Sequence, residues 1–352
     1  MTTKKQNIAV IAVFLCMVFG MTIWTMVTPS REFSERENRA LAQMPEASVE
    51  SCFSGKFEKD FETYLTDQFP MRDGWISAKT AIEKATFKTE SKDIYFADDD
   101  YLIEAHSKSF TAPSANANIG YLKNFMETCV ETYGKDHATA MVVPNAVDIL
   151  RDHLPKYASP YDEEVYLQKV ADAMPEGTWF DSGSVLREHK DIQLYYRTDH
   201  HWTSLGAFYG ANALLEVLGR ESLKQESFTP EIASTSFVGT LYSQSGIHWL
   251  TPDTMEFWVK EDGLTVTSWR TGSPEPSILY DRSYLTEKDK YASFLGGNQP
   301  LCVIRNENAR DGGKLLLIRD SYSDALAPFL AQSFAEVHLL DPRYYRMPPA
   351  QY

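Results

Sequence analysis

The chain has 352 residues, enough for one large domain or two ordinary domains with buried cores. Hydrophobic residues make up 43% and charged residues 24%, which excludes a disordered chain, a collagen-like fibre and a polytopic membrane protein. The formal net charge of −15 argues against nucleic-acid binding through a basic face, so no nucleic-acid partner is expected.

The N-terminal segment is apolar and uncharged. Lys4 and Lys5 precede the run IAVIAVFLCMVFGMTIWTMV at residues 8–27, which is long enough to cross about 30 Å of hydrocarbon. Because basic residues precede it, we predict a cytoplasmic head. Because the run is long and residues 24–28 (WTMVT) lack a clean cleavage site, we predict an uncleaved transmembrane signal anchor over residues 1–28. The rest of a single-pass cell-membrane protein would then be extracytoplasmic. The alternative is a cleaved signal peptide, whose apolar region is usually ~7–15 residues and ends in a small-x-small site.

Residues 29–92 read as a juxtamembrane linker and a helical arm. The polar stretch SREFSERENRALAQMPE comes first, and large apolar residues then recur at helical spacing until Pro70. A second helical pattern contains Trp75, Ile76, Ile82 and Phe87. We expect the aromatic residues of both helices to be core residues.

From residue 93 to 352 the pattern becomes that of an α/β domain. Helices are predicted over residues 119–133, 163–174 and 203–218, and strands over 140–144, 193–198, 314–319 and 336–341. The run KLLLIR at 314–319 is the clearest buried strand. With the following helix and EVHLLD it predicts a βαβ unit in a parallel sheet. Residues 225–300 are rich in Ser, Thr, Pro and Tyr, which indicates an insertion of loops and edge strands.

Polar residues follow two of these predicted strands, where ligands bind in such sheets. Ser321 lies between a strand and a helix, the context in which a serine hydroxyl projects as a nucleophile. It needs a base, which His201 supplies if Asp199 orients it. In extended backbone these two side chains point to one side and His200 to the other. The alternatives are a helix-capping serine and a buried, hydrogen-bonded Asp-x-His pair.

Other residues of these segments are candidates for substrate binding. The aromatic side chains of Trp202, Tyr322, Tyr195 and Tyr196 either offer faces for a ligand or pack in the core. The side chains of Arg197 and Arg319 either balance an anionic ligand or pair with Asp199 and Asp320. We predict Arg197, Trp202 and Tyr322 as substrate-binding residues.

A metal site is not expected. Asp199, His200 and His201 are ligand types, but adjacent histidines point apart, and HxxxH, HExxH and CxxC spacings are lacking. The DHH tripeptide also occurs in a metal-dependent phosphoesterase family, so a phosphoesterase stays as a functional alternative. No cofactor is expected.

The run RTDHHWTSLGA at residues 197–207 resembles the defining motif of the DHHW protein family, a family related to the SGNH hydrolase-like proteins of alginate O-acetylation. Blocks that carry the resemblance follow in one order: SERENRALAQMPE, FETYLTDQFPMRDGWI, VVPNAVDIL, FVGTLYSQSG, LLLIRDSYSDALAPFL and LLDPRYY. The resemblance implies an SGNH hydrolase-like three-layer α/β/α domain with a parallel sheet. It also implies Ser321 as nucleophile, His201 as base and Asp199 as orienting acid, with the Asp-x-His pair before the serine in the chain.

The activity implied by the resemblance is transfer or removal of acyl groups, expected to be acetyl, on a cell-surface or exported polysaccharide. A membrane-bound O-acyltransferase is the implied partner. SGNH enzymes carry Gly-Asp-Ser at the nucleophile, whereas Arg319 precedes Asp320 and Ser321 here. The alternative is therefore a non-catalytic glycan-binding or scaffold component of an O-acetylation complex.

Overall fold

The computed structural model describes residues 2–348 and 352. The chain forms two compact units. One contains the residues up to Phe87 together with Gly246–His248, and the other contains Lys88–Ser245 and Trp249–Tyr352. The division into anchor, linker and α/β domain at residues 28 and 92 stays a prediction.

The first unit is mainly helical. Its elements are α1 (Thr2–Val27), β1 (Phe33–Ser34), β2 (Arg39–Ala40), α2 (Val49–Phe53), α3 (Lys56–Asp67) and α4 (Arg72–Ala85). The predicted N-terminal apolar helix is confirmed: Lys4–Val27 is long and apolar enough to cross a membrane, with a mean hydropathy of 2.4. A signal sequence has the same properties, so retention of α1 stays a prediction.

The aromatic residues in and directly after α2–α4 are not uniformly core residues, contrary to the expectation from their spacing. Phe53 and Phe87 are each 91% exposed, and Trp75 is 57% exposed. Polar contacts join the elements instead, since Arg39 binds the buried carboxylate of Asp67 through both terminal nitrogens. The three helices and one hairpin provide too little surface to cover both faces of each helix.

The second unit contains the remaining elements. Its helices are α5 (Pro113–Tyr133), α6 (Ala146–Ile149), α7 (Glu163–Ala173), α8 (Ser182–Glu188), α9 (Ser204–Val217), α10 (Thr240–Ser245) and α11 (Tyr322–Leu330). Its strands are β3 (Glu90–Ser91), β4 (Ile94–Phe96), β5 (Leu102–Glu104), β6 (Ala140–Met141), β7 (Trp179–Phe180), β8 (Thr229–Phe237), β9 (Asp253–Val259), β10 (Leu264–Ser268), β11 (Glu275–Ser277), β12 (Leu301–Asn306), β13 (Lys314–Ile318) and β14 (Glu336–Leu340).

The largest sheet of this unit is mixed. Its strand order is β11-β10-β12-β14-β13, in which β13 and β14 are parallel and the other neighbours antiparallel. The predicted βαβ unit is therefore confirmed as β13-α11-β14. The expected parallel sheet is not: a second parallel pair, β6 and β7, forms a separate two-stranded sheet, and the other sheets are antiparallel.

Three strand predictions differ from the structure. Residues 193–198 form only one isolated bridge, between Tyr195 and Trp202, because the chain turns back within a few residues. β13 is an edge strand in which Leu316 is 47% exposed, so its apolar run is not a fully buried strand. β10, inside the segment predicted as loops and edge strands, is an inner strand between β11 and β12.

The core lies where α9 and α11 pack together beside these strands. Trp202, Phe208 and Phe329 are buried there. The predicted cap of α9 is confirmed, because the Thr203 hydroxyl accepts a hydrogen bond from the Gly206 N–H. This cap fixes the chain directly after the Asp-His-His-Trp segment.

Candidate active site

Ser321 lies in the tight connection from β13 to α11. It is the residue before the first helical position, with φ −69° and ψ −17°. Asp320 caps the helix, since its carboxylate accepts a hydrogen bond from the Tyr322 N–H at 3.0 Å. Among the described residues, the Ser321 N–H donates to no protein acceptor, so it is free to face a ligand. The helix start thus provides fewer free donors than the sequence suggested.

His201 is held in a tight reversal of the chain. Its carbonyl accepts from the Tyr196 N–H at 3.1 Å, beside the Tyr195–Trp202 bridge. This reversal brings the ring to Ser321, which is 120 positions away: Nε2 lies 2.8 Å from the Ser321 hydroxyl oxygen. Nδ1 lies 2.5 Å from Oδ1 of Asp199. The consistent tautomer has Nδ1–H donating to Asp199 and Nε2 accepting from Ser321.

Asp199 is buried and fully hydrogen-bonded. Oδ1 also accepts from the His201 N–H at 3.0 Å, and Oδ2 accepts from the Thr240 N–H at 2.8 Å. Burial alone would raise the pKa of Asp199, but the charge and hydrogen bond of His201 outweigh it and hold the pKa well below its usual range. The carboxylate is therefore ionised at neutral pH, the state that stabilises an imidazolium.

A close approach of backbone to this carboxylate requires glycine. A Cβ built on Gly239 would lie 2.1 Å from Oδ2 of Asp199. Gly239 and Thr240 precede and begin α10, so a side chain there would displace either Asp199 or the helix start.

Asp253 holds the chain before Asp199. Its two carboxylate oxygens accept from the N–H groups of Arg197 and Thr198 at 3.0 and 2.9 Å, and from the Thr198 hydroxyl at 2.6 Å. The group is buried, which raises its pKa. Asp253 is thus a structural support for the segment that carries the site.

Two rings flank the His201 imidazole. Tyr291 stacks on it with centroids 3.8 Å apart and planes at 8°, and its hydroxyl donates to the Ser321 carbonyl at 3.2 Å. His200 lies on the imidazole too, at 3.9 Å and 36°. The expectation that His200 faces the opposite side is therefore wrong, because this segment is bent rather than extended. Burial, then the charge of His201, lowers the pKa of His200 to about 4, so it stays neutral beside an imidazolium.

The predicted substrate-binding residues have different positions. Trp202 is 0% exposed, and its Nε1–H donates to the Tyr322 carbonyl at 2.9 Å. Its ring has no face open to a sugar, which corrects that prediction. Tyr195 and Tyr196 are buried as well. Tyr322 is partly buried, lies 5.3 Å from the His201 ring and donates to the His200 carbonyl. A substrate role for Tyr322 stays a prediction.

Arg197 points to a cavity of about 260 Å³ instead of pairing with Asp199. Its guanidinium lies over the Tyr101 ring and donates to the Asp99 carbonyl and to Gln193. The cavity is lined by Asp152, Lys190 and Asp191 among others. Substrate binding by Arg197 stays a prediction.

Arg319, which precedes Asp320 and Ser321, has a fully buried side chain. Its Nη1 lies 2.7 Å from Oδ1 of Asp324 and 3.8 Å from Asp341, whereas Asp320 offers it only a carbonyl. Burial raises the pKa of Asp324 to about 7 despite the adjacent guanidinium. The expected pairing partner, Asp320, is therefore replaced by Asp324 one turn into α11.

One cluster has the donor types of a metal site. Ligand atoms of Asp199, His200 and His201 all lie within 4.8 Å of one another. Both ring nitrogens of His201 and both carboxylate oxygens of Asp199 are already hydrogen-bonded to protein groups. A cation would have to replace those hydrogen bonds, so the residues present fit a hydrogen-bonded triad better than a metal.

Sequence reasoning missed Tyr291, Thr240, Gly239 and Asp253. Gly239 and Thr240 lie in FVGTLYSQSG, one of the blocks that carried the family resemblance, so a signal for them existed. Tyr291 and Asp253 lie in the segment without helical period, where their isolated positions gave no signal.

The chain matches one family model and one curated relative. The family model described as DHHW protein matches residues 107–340. A curated relative, the probable alginate O-acetylase AlgJ of Pseudomonas putida, is 24% identical over 244 residues, which cover 66% of this chain and 60% of AlgJ. The chain thus spans less than two thirds of that relative.

Two solved structures are similar. Bacillus cereus PatB1 has a TM-score of 0.58 and 22% identity, over 71% of this chain and 88% of PatB1. A DHHW family protein from Eubacterium siraeum has a TM-score of 0.49 and 26% identity, over 64% of this chain and 77% of its own. The PatB1 likeness shows a shared fold. Because the family model covers more than half of the sequence and includes Asp199, His201 and Ser321, the chain belongs to the DHHW protein family.

Proposed function

We propose that this protein is an extracytoplasmic, serine-dependent acyltransferase or esterase that acts on a cell-surface or exported polysaccharide. The observation that carries the proposal is the continuous hydrogen-bonded chain from Ser321 through His201 to Asp199. The proposed framework is an SGNH hydrolase-like three-layer α/β/α domain, supported by the fold likeness to PatB1.

The proposed reaction begins with attack by the Ser321 oxygen on the carbonyl carbon of an acyl donor. His201 Nε2 takes the hydroxyl proton as the new C–O bond forms, and Asp199 stabilises the resulting imidazolium. The imidazolium then returns the proton to the departing oxygen of the donor, which leaves an ester on Ser321. A sugar hydroxyl or a water, deprotonated by His201, resolves that ester and releases the serine. Transfer and hydrolysis differ only in this second nucleophile.

The negative charge that develops on the carbonyl oxygen needs hydrogen-bond donors. The Ser321 N–H is positioned to provide one, at the positive end of α11. Tyr291 fixes the backbone on the other side of Ser321 by donating to its carbonyl.

Acetyl is the proposed acyl group, and a membrane-bound O-acyltransferase is the proposed partner that supplies it. The support is the relative named a probable alginate O-acetylase, together with the family resemblance. The helix α1 supports a single-pass anchor that keeps the second unit outside the cytoplasm. Arg197 and Tyr322 are proposed to contact the glycan.

The test is hydrolysis of p-nitrophenyl acetate by the full chain and by Ser321→Ala. The variant should lose nearly all activity, and His201→Ala should lose as much because the two residues act as a unit. Ser323→Ala, a serine two positions further in the same turn, is the matched control and should stay active. Adding an oligosaccharide acceptor then separates transfer from hydrolysis.

A second candidate is a non-catalytic glycan-binding or scaffold component. It is favoured by the single free donor at the helix start, since Asp320 occupies the Tyr322 N–H. Equal rates for wild type and Ser321→Ala would support it and refute the enzyme proposal. Activity that disappears with EDTA and depends on His200 as much as on His201 would instead support the metal phosphoesterase.

A further inference from the structure

One face of the α3–α4 region is apolar and exposed. Phe69 in the connection is 39% exposed, and Met71, Trp75 and Ile82 are 65%, 57% and 65% exposed. Trp75 and Ile82 are seven positions apart, which places them on one side of α4. We call these four residues the apolar stripe.

The opposite side of α4 is covered within the same unit. Thr80 is buried, a Cβ on Gly246 would meet the side chains of Thr80 and Ile76, and the Ser77 hydroxyl is 2.9 Å from His248 Nδ1. The helix therefore has one face packed in the unit and a second apolar face that the described residues leave exposed. Exposed large apolar surface of this kind marks an interaction site.

The chain just after α1 is fastened to the region that bears the stripe. The side chain of Gln68 accepts from the Arg31 N–H and donates to the Arg31 carbonyl, each at 2.8 Å. Arg31 also pairs with Asp73 in the first turn of α4 at 3.1 Å, and Ser30 lies 3.1 Å from the Tyr64 hydroxyl. These contacts join the end of the apolar helix to both α3 and α4.

The short distance along the chain limits where the stripe can lie. Arg31 is four residues beyond Val27, where α1 ends, and four residues reach at most about 14 Å. The headgroup layer of a bilayer is itself roughly 5–8 Å thick on each side. Phe69 and Met71 come directly after Gln68, so the start of the stripe is held at the membrane boundary if α1 spans the membrane.

We propose that the apolar stripe docks on the phospholipid surface of the same bilayer that α1 spans, with α4 lying in the interface. The proposal rests on the retained anchor and is independent of the catalytic proposal. Tryptophan is the residue type enriched at this depth, and an interfacial helix buries its apolar face at the boundary between headgroups and chains. Such docking would hold the helical unit against the membrane surface instead of leaving it on a free linker.

The test measures the depth of α4 with spin labels. The full chain, with Cys16, Cys52 and Cys129 replaced by serine, is placed in nanodiscs of phosphatidylcholine and phosphatidylglycerol. A nitroxide is attached at Ile82→Cys, or at Lys84→Cys as the matched control, because Lys84 is exposed and lies two positions from Ile82 on the same helix, which places it on the side away from the apolar stripe. Frequent collision of the label with oxygen, which concentrates in the hydrocarbon, indicates that the label lies in lipid. Frequent collision with a water-soluble nickel chelate indicates that it lies in water.

We expect the label at position 82 to have a several-fold higher ratio of oxygen to nickel collisions than the label at position 84. Equal, water-like ratios at both positions would overturn the proposal. Shielding of position 82 from both reagents would also overturn it, because a second copy or another protein would then cover the stripe. N-terminal sequencing of the sample checks the anchor, and a chain that begins after Val27 and does not bind vesicles would refute the proposal too.

Quenching by brominated lipid provides a second measurement if a cysteine variant does not fold. The decrease in tryptophan fluorescence that brominated lipid causes is measured in wild type and in Trp75→Phe. The difference between the two decreases is the contribution of Trp75. A Trp75 signal that bromine does not quench would contradict the interfacial position.

Discussion

The buried ion pair of Arg319 with Asp324 permits a quantitative prediction about the turn that carries Ser321. The two side chains are 0% and 2% exposed, and Nη1 lies 2.7 Å from Oδ1. Arg319→Met keeps the length of the side chain but leaves the Asp324 carboxylate buried beside Asp341. Breaking a buried pair in this way costs about 3–5 kcal/mol. At about 2–4 °C per kcal/mol, the melting temperature should fall by roughly 6–20 °C.

The pH dependence follows from the same carboxyl. Burial already raises the pKa of Asp324 to about 7, and Arg319 opposes that rise. Without Arg319 the pKa rises further, so the carboxyl of the variant is neutral in acid and carries no uncompensated charge. The cost of Arg319→Met should therefore be largest near pH 8 and much smaller near pH 5, as proton linkage requires.

Thermal unfolding of the full chain, followed by near-ultraviolet circular dichroism, measures both effects. Arg282→Met is the matched control, because its pair with Glu231 at 2.6 Å is 45% and 39% exposed and should contribute about 0–1 kcal/mol. Replacing both partners, with Arg319→Met and Asp324→Leu, should recover much of the loss, since Nε and Nη2 of Arg319 are buried without hydrogen-bond partners among the described residues. Equal decreases in melting temperature for Arg319→Met and Arg282→Met would refute the argument that burial makes the Arg319–Asp324 pair more costly to break.

Two further substitutions test the support of the site and a second buried acid. Gly239→Ala should reduce ester hydrolysis at least about tenfold by displacing Asp199, whose Oδ2 would lie 2.1 Å from the new Cβ. Gly120→Ala, which meets nothing within 4 Å in α5, should leave the rate unchanged, and equal rates for the two variants would contradict this. The second buried acid is Glu163, whose pKa burial raises from 4.5 to about 7. The protonated carboxyl of Glu163 therefore favours the folded state in acid, and this contribution to the free energy of unfolding is lost as pH rises through 7. Glu163→Gln should therefore gain stability relative to wild type between about pH 4 and pH 8, by up to about 3 kcal/mol, and a difference in urea unfolding that is constant with pH would show the assignment to be wrong.

Several features of this protein are determined locally by the sequence. The helix α1 follows from an uncharged apolar run, because helix formation satisfies every backbone polar group within the segment. The β13-α11-β14 unit follows from two apolar runs separated by a helical pattern, and the Thr203 cap from a hydroxyl directly before α9. The sequence also predicted that Asp199 and His201 would share a side, because they are two positions apart.

Contacts between segments that are distant in the chain could not be predicted from such local patterns. Tyr291 contacts His201, and the Thr240 N–H donates to Asp199, only because the chain returns to the site in two segments whose sequences have no recurring hydrophobic period. His200 lies against His201 because the segment bends instead of continuing as a strand. Local periodicity cannot report a bend in a segment whose N–H groups donate to Asp253, because Asp253 lies more than 50 positions away in the chain.

Tertiary packing also decided how the sheet is built and where apolar residues are exposed. The run at β13 is apolar enough for a buried strand, yet β13 is the last strand of the sheet. The inner position of β10 depends on pairing with β12 across an intervening segment, and hydrophobic period identifies a strand without identifying its neighbours. The same holds for Trp75 and Ile82: spacing identified a helix with an apolar face, but only the packing of Thr80 and Ile76 against Gly246 showed which face the unit covers.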